Sequence, residues 1–261
     1  MIPKVIHYCW FGRNPLPPLA IKCIESWKKY LPDYEIKEWN EDNFDVNAIA
    51  YTKEAYEAKK YAFVSDYARF WIIYNYGGIY FDTDVEVIKP MDDLIAKGAW
   101  MGYEFKLSTH YLNGAINPGL GMGSSPHSEI LKDLLHNYSN LHFQRNGRLN
   151  LKTIVAYTTE AFMARGLEII DGVQECCGFT IYPPDYFNPL DGKNKQVILT
   201  NHTYSIHHYM ASWSSKKTKK NICVYIKEKI IIPLLPKCIL KKILTEKKEK
   251  KDYFLETYFR Y

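Results

Sequence analysis

The chain has 261 residues, 47% of them hydrophobic and 24% charged, enough for one large α/β domain, or a domain with an appendage, and a sizeable core. Its net charge of +5 is unevenly divided: residues 216–261 hold 13 lysines and one arginine against five acidic residues, a net +9, while residues 1–215 carry −4. That sign argues against nucleic-acid binding by the body, and it divides the chain into a body, 1–215, and a basic tail, 216–261.

The six cysteines, at positions 9, 23, 176, 177, 223 and 238, show no C-x-x-C spacing. They read as reduced thiols in a cytoplasmic protein, not as zinc ligands. The opening MIPKVIHYCWFG lacks a signal-peptide layout, and no apolar run is long enough to span a bilayer. Aromatic residues make up 15% of the chain. Most belong to a core, and aromatic clefts also suit sugars and bases.

In chain order, Pro3 to Trp10 reads as a first strand and residues 19–30 as an amphipathic helix stopped at Leu31-Pro32-Asp33. Tyr34 to Trp39 alternates as a strand, and 48–60 suggest a helix. Phe63, Tyr67, Phe70 and Tyr74 then follow a helical period, with Asp66 and Arg69 on one face. Gly77 and Gly78 are expected to end that helix as left-handed caps. Ile79-Tyr80-Phe81 opens a β-rich run that carries Asp82 and Asp84 and continues through Val85, Val87 and Ile88 to Pro90. Beyond it, Asp92-Asp93 opens a helical turn and Trp100 to Phe105 a strand. Residues 113–126 form a glycine-rich loop that lacks the Gly-Lys-Ser/Thr ending of a P-loop. Helices are predicted at 127–139 and 151–165, and a strand with a proline-rich loop at 179–190.

Asp82 and Asp84 concentrate negative charge at the end of an apolar strand, where folding alone disfavours it. A divalent cation resolves that cost: Mg²⁺ takes oxygen ligands, commonly one or two carboxylates plus substrate phosphates. A D-x-D pair alone is more often a solvated turn, so its surroundings decide.

The block SDYARFWIIYNYGGIYFDTDVEV resembles the S-D-x-x-R … Y-G-G-x-Y-x-D-x-D segment of the DXD sugar-binding glycosyltransferases. These include bacterial capsule and exopolysaccharide transferases, fungal Golgi α-1,6-mannosyltransferases and, more distantly, the large clostridial glucosylating toxins. The resemblance implies an α/β domain of GT-A, Rossmann-like architecture, a nucleotide-sugar donor, Mn²⁺ or Mg²⁺, and retention of anomeric configuration. It also implies roles. Asp84 binds the metal; Asp82 binds the metal, its water or the ribose. Asp66, Arg69 and Asn117 form the catalytic set around the sugar, and Tyr80 lines the donor site. IPKVIHYCWFG resembles the family's opening, so Trp10 is expected to stack on a uracil. The TYSIHHYMASW segment, 203–213, resembles the family's closing H-H-x-x-x-S-W. It places Ser212 and Trp213 on a loop over the nucleotide.

Imidazole is also a good Mn²⁺ ligand. Alternation along a strand sends His207 and His208 to opposite faces, so one of them serves, and the toxins' acidic ligand favours His208. The chain lacks the family's T-G-P turn near residue 152, which leaves the acceptor side open. A toxin-like protein glycosyltransferase and a non-catalytic nucleotide-sugar-binding module are the alternatives. The acceptor is expected to be a glycan or lipid-linked glycan. In the tail, residues 222–245 interleave Ile, Leu, Val224 and Tyr225 with lysines and are broken by Pro233 and Pro236. That pattern fits a helical segment lying on a membrane surface, on the inner face of the plasma membrane. It fits equally an apolar stripe packed on the body.

Overall fold

The computed structural model describes residues 1–104, 115–168, 170, 172–190 and 196–210. Ser212, Trp213 and the tail lie outside the described residues. In chain order the elements are β1 (Val5–Cys9), α1 (Pro18–Tyr30), β2 (Glu35–Trp39), α2 (Ala50–Glu57), α3 (Tyr61–Tyr76), β3 (Gly78–Tyr80), β4 (Val85–Val87), α4 (Asp92–Ile95) and β5 (Trp100–Gly102). A 3-10 turn (Pro118–Leu120), β6 (Met122–Ser124), α5 (Glu129–Ser139), β7 (Gln144–Arg145), β8 (Arg148–Leu149) and α6 (Ile154–Ala164) follow. The described residues end with β9 (Gln174–Cys176), β10 (Phe179–Tyr182), a second 3-10 turn (Pro184–Tyr186) and β11 (Ser205–His207).

A seven-stranded sheet runs β2-β1-β3-β6-β5-β10-β9. β1 pairs in parallel with β2 and β3, and β5 with β10. β6 is antiparallel to both neighbours, as β9 is to β10. The result is an α/β domain, as the resemblance implies, and its central sheet is mixed. Because β3 and β5 each run against β6, they run parallel to each other. The carboxyl ends of β1, β3, β5 and β10 therefore share one edge, where ligands bind in open α/β sheets.

Alternate residues of β1 reach opposite faces of the sheet. Ile6 and Tyr8 join a cluster with Trp27, Phe81 and Trp100, while Cys9 joins a larger cluster with α2, α3, α5 and α6. α1 buries Ala20, Cys23, Ile24 and Trp27, a helical stripe that begins just inside an N-terminal proline. Trp27 is fully buried, and its indole N–H donates to the carbonyl of Val85 at 2.8 Å. α1 thus braces the strand that leaves the Asp82–Asp84 turn. α3 is buried on more than its Phe63-Tyr67-Phe70 stripe: Val64, Ala68, Ile72 and Ile73 are inside too. It lies in the core, not at the surface.

Two expectations are corrected locally. Gly77 has φ 65° with ψ −160°, so the helix ends on a positive-φ glycine that is not in the left-handed helical basin. The reason is that the chain must turn straight into β3, where a Cβ on Gly78 would meet the carbonyl oxygen of Val5 at 2.6 Å. The run from Ile79 to Ile88 is two strands, not one. β3 belongs to the central sheet and β4 pairs with β11 in a separate ribbon. Asp82 and Asp84 therefore sit in the break between sheets. Among the described residues no helix is long and apolar enough to cross a membrane.

Candidate active site

The break after β3 is a tight turn in which the N–H of Val85 donates to the carbonyl of Asp82 at 3.0 Å. It leaves Asp82 partly exposed, with Thr83 and Asp84 buried. A buried carboxylate is costly unless paired, and each one here has a partner. Tyr80 donates its hydroxyl to Asp82 Oδ1 at 3.1 Å. Arg69, reaching across from α3, places Nη2 3.2 Å from Asp82 Oδ1 and 3.1 Å from Asp66 Oδ1. Its guanidinium also lies 4.9 Å from the centre of the Tyr80 ring.

The Arg69 side chain is 4% exposed and that of Asp66 10%, so this is no solvated i,i+3 surface pair. Burial pushes the Asp66 carboxyl up to about 7, against the pull of Arg69 and with a further push from Asp82. One cation serves two acids. The 3-10 turn closes over them: the N–H of Asp82 donates to the carbonyl of Gly119. A Cβ on Gly119 would lie 2.2 Å from Asp82 Oδ2 and 3.0 Å from Arg69 Nη1, so only glycine admits this approach. Asn117 holds that turn by accepting from the N–H of Gly119 at 2.8 Å.

Asp84 meets the end of β11. The register pairs His207 with Val85 and Ser205 with Val87. This brings His207 Nε2 to 3.1 Å from Asp84 Oδ1, and among the described residues neither ring nitrogen has a hydrogen bond of good geometry. Burial works against the charge on Asp84, but the imidazole of His207 and the N–H of Met210, 2.7 Å from Oδ2, overcome it and hold the carboxyl down at about 2. Burial likewise opposes charge on His207, and the Asp84 carboxylate outweighs it and raises the imidazole above its ordinary value. His208 departs from expectation: it faces the other way, with Nε2 2.8 Å from Glu86 Oε2, and Glu86 also pairs with Lys22 at 2.9 Å. Alternation allowed one histidine only, and the β4–β11 register selects His207.

Ligand atoms of Asp82, Asp84 and His207 all lie within 4.8 Å of one another. Two carboxylates and a buried imidazole that, among the described residues, has an ion-pair contact to Asp84 but no hydrogen bond of good geometry suit Mn²⁺ or Mg²⁺. The residues present fit a divalent ion.

Asp66, Arg69, Tyr80, Asp82 and Asp84 are thus brought together with His207, and Asn117 borders them. Trp10 follows β1 at the same sheet edge, partly buried, with its indole N–H on the carbonyl of Asn14 at 2.6 Å. Sequence reasoning passed over Gly119, Tyr209 and Glu104. Only the fold brings these three to the site, since they come from segments far apart in the chain.

Residues 17–100 match the family described as "Glycosyltransferase sugar-binding region containing DXD motif". Inositol phosphoceramide mannosyltransferase 3 of Schizosaccharomyces pombe is 32% identical over 104 residues, which cover 38% of this chain and 29% of that protein. An uncharacterised glycosyltransferase of Acanthamoeba polyphaga mimivirus is 30% identical over 163 residues, 58% of this chain and 60% of that protein. The chain therefore spans less than two thirds of the length of these relatives. A solved glycosyltransferase involved in glycosylation of the major capsid of PBCV-1 is 14% identical, with a TM-score of 0.46 over 79% of this chain and 94% of that one. The segment that contains Asp66, Arg69, Asp82 and Asp84 is thus similar to the sugar-binding region, containing the DXD motif, of a family of glycosyltransferases.

Proposed function

We propose that the protein is a metal-dependent, retaining glycosyltransferase that moves a hexose from a nucleotide sugar to a hydroxyl of a glycan or lipid-linked glycan. The observation that carries this reading is the pairing of one buried arginine with Asp66 and Asp82 beside the Asp84–His207 pair. Folding gains little from such a set, while a phosphorylated sugar uses every part of it. Asp82, Asp84 and His207 would hold the divalent ion, which when bound offsets the charge that develops on a leaving diphosphate. Arg69 presents a fixed, permanently charged fork to phosphate or sugar oxygens. Asp66 accepts hydrogen bonds from sugar hydroxyls, and Tyr80 and Asn117 keep Asp82 and the Gly119 turn in place. Trp10 offers a ring for the base, with Ser212 and Trp213 as the expected closing contacts. In the front-side displacement we favour, the acceptor oxygen bonds to the anomeric carbon as the bond to the phosphate oxygen breaks. The acceptor proton passes to the leaving phosphate.

The names of the fungal relatives support placing GDP-mannose beside the UDP-sugars as a donor. The test is release of nucleoside diphosphate from UDP-glucose, UDP-galactose, UDP-GlcNAc and GDP-mannose in Mn²⁺. One of these should be hydrolysed in preference to the rest. Binding without release from any of them would favour a non-catalytic nucleotide-sugar module.

We further propose that the basic tail holds the enzyme on the cytoplasmic face of a membrane, where lipid-linked acceptors for capsule or exopolysaccharide synthesis would meet it in two dimensions. Each lysine near an anionic leaflet contributes about 1 kcal/mol at most, and salt screens it. The full chain should sediment with anionic vesicles at low salt and release at high salt, while a chain ending at Ser215 stays in the supernatant. Equal partitioning of the two would refute the tail's role.

A further inference from the structure

One acid at the site has no part in the reading above. Glu104 lies two residues beyond β5, as Asp82 lies two residues beyond β3, and the carboxyl ends of these parallel strands share one edge. Its backbone is fixed on both sides. The N–H of Glu104 donates to the carbonyl of Ala115 at 2.8 Å, and its carbonyl accepts from Asn188 Nδ2 at 2.6 Å. Its carboxylate faces the Tyr209 hydroxyl and the Asn117 side chain.

These contacts connect the two halves of the site. Asn117 also holds Gly119 against Asp82. Tyr209 packs edge-on against His207, ring centres 4.2 Å apart, and its hydroxyl receives Asn188 Nδ2 at 2.7 Å. Unlike Asp66 and Asp82, Glu104 does not share Arg69, and burial pushes its carboxyl up to about 7 against the pull of His207, Tyr209 and Asn117. A carboxylate offers about four acceptor positions, and among the described residues Tyr209 and Asn117 are the neutral donors that face this one. Asn188 is 5% exposed, and among the described residues its Oδ1 has no partner. The buried Asn188 oxygen is costly until something donates to it.

We propose that Glu104, its backbone fixed by Ala115 and Asn188 and its side chain facing Tyr209 and Asn117, accepts a hydrogen bond from a sugar hydroxyl in the transfer complex, either of the transferred hexose or of the acceptor. The role deepens the glycosyltransferase reading and rests on it. Tyr209 is the positioning residue.

Glu104→Gln keeps the shape and can replace a merely structural, protonated carboxyl. Binding of a nucleoside diphosphate, the corresponding nucleotide sugar and a panel of alkyl hexosides would be measured by calorimetry in Mn²⁺, for wild type, Glu104→Gln and Tyr209→Phe. Glu104→Gln should melt close to wild type and bind the nucleoside diphosphate equally well. If the hydroxyl belongs to the transferred sugar, nucleotide-sugar affinity falls about tenfold or more. If it belongs to the acceptor, hexoside affinity falls instead. Tyr209→Phe should shift the same constant by a smaller factor. Glu104→Gln with both sugar affinities intact would overturn the proposal while leaving the glycosyltransferase reading in place. A wild type that binds no nucleotide sugar would overturn both.

Discussion

Replacing Arg69 by methionine should destabilise the protein severely as well as inactivate it. The guanidinium is buried and pairs with two carboxylates, at 3.1 Å and 3.2 Å. Methionine would fill much of its volume but leave Asp66 and Asp82 without their shared cation. Breaking a buried ion pair from one side costs about 3–5 kcal/mol, because a charge is left uncompensated. In a domain of this size that corresponds to a fall in melting temperature on the order of 10 °C. Asp66 would relieve part of the cost by taking up a proton, as its raised pKa makes easy. The double variant Arg69→Met/Asp66→Asn should therefore recover a measurable part of the loss. A single variant that melts like wild type would mean the pair contributes nothing to the fold. A double variant no better than the single would remove the electrostatic explanation.

His207→Ala and His208→Ala should behave in opposite ways. His207 stands beside Asp84 and within 4.8 Å of Asp82, whereas His208 is committed to Glu86. Removing a direct ligand should weaken Mn²⁺ binding at least as much as the roughly 10–100-fold that loss of an outer partner costs. His208→Ala should leave the Mn²⁺ affinity near wild type, its surface pair being worth about 1 kcal/mol at most. Titration of Mn²⁺ by paramagnetic resonance separates the two. The reverse pattern would mean that the β4–β11 register shifts by one residue when the metal binds.

The contrast between these histidines shows how far the sequence could be read. The block from Phe63 to Asp84 was legible because a helical period, a pair of glycines and a carboxylate pair follow in fixed order. Alternation also made clear that only one of His207 and His208 could face the site. Which one is a matter of strand register, which depends on a partner more than a hundred residues away and flips every side chain when it slips by one. The break between β3 and β4 was hidden for a related reason: apolar residues continue on both sides of Asp82–Asp84, so one strand and two look alike locally. The two-residue strands β7 and β8 have exposed residues throughout and carry no apolar pattern at all. Glu104, Tyr209 and Asn188 were out of reach. Each is an ordinary polar residue until β5, β10 and β11 bring their ends together.

The most direct test of the central claim is release of nucleoside diphosphate from the preferred nucleotide sugar, by wild type and by Asp84→Asn, in Mn²⁺ and after EDTA. The Asp84–His207 site predicts release by wild type in Mn²⁺, its loss in EDTA with recovery on re-addition of the metal, and no release above background by a folded Asp84→Asn. Release that persists in EDTA, or in Asp84→Asn, would contradict it.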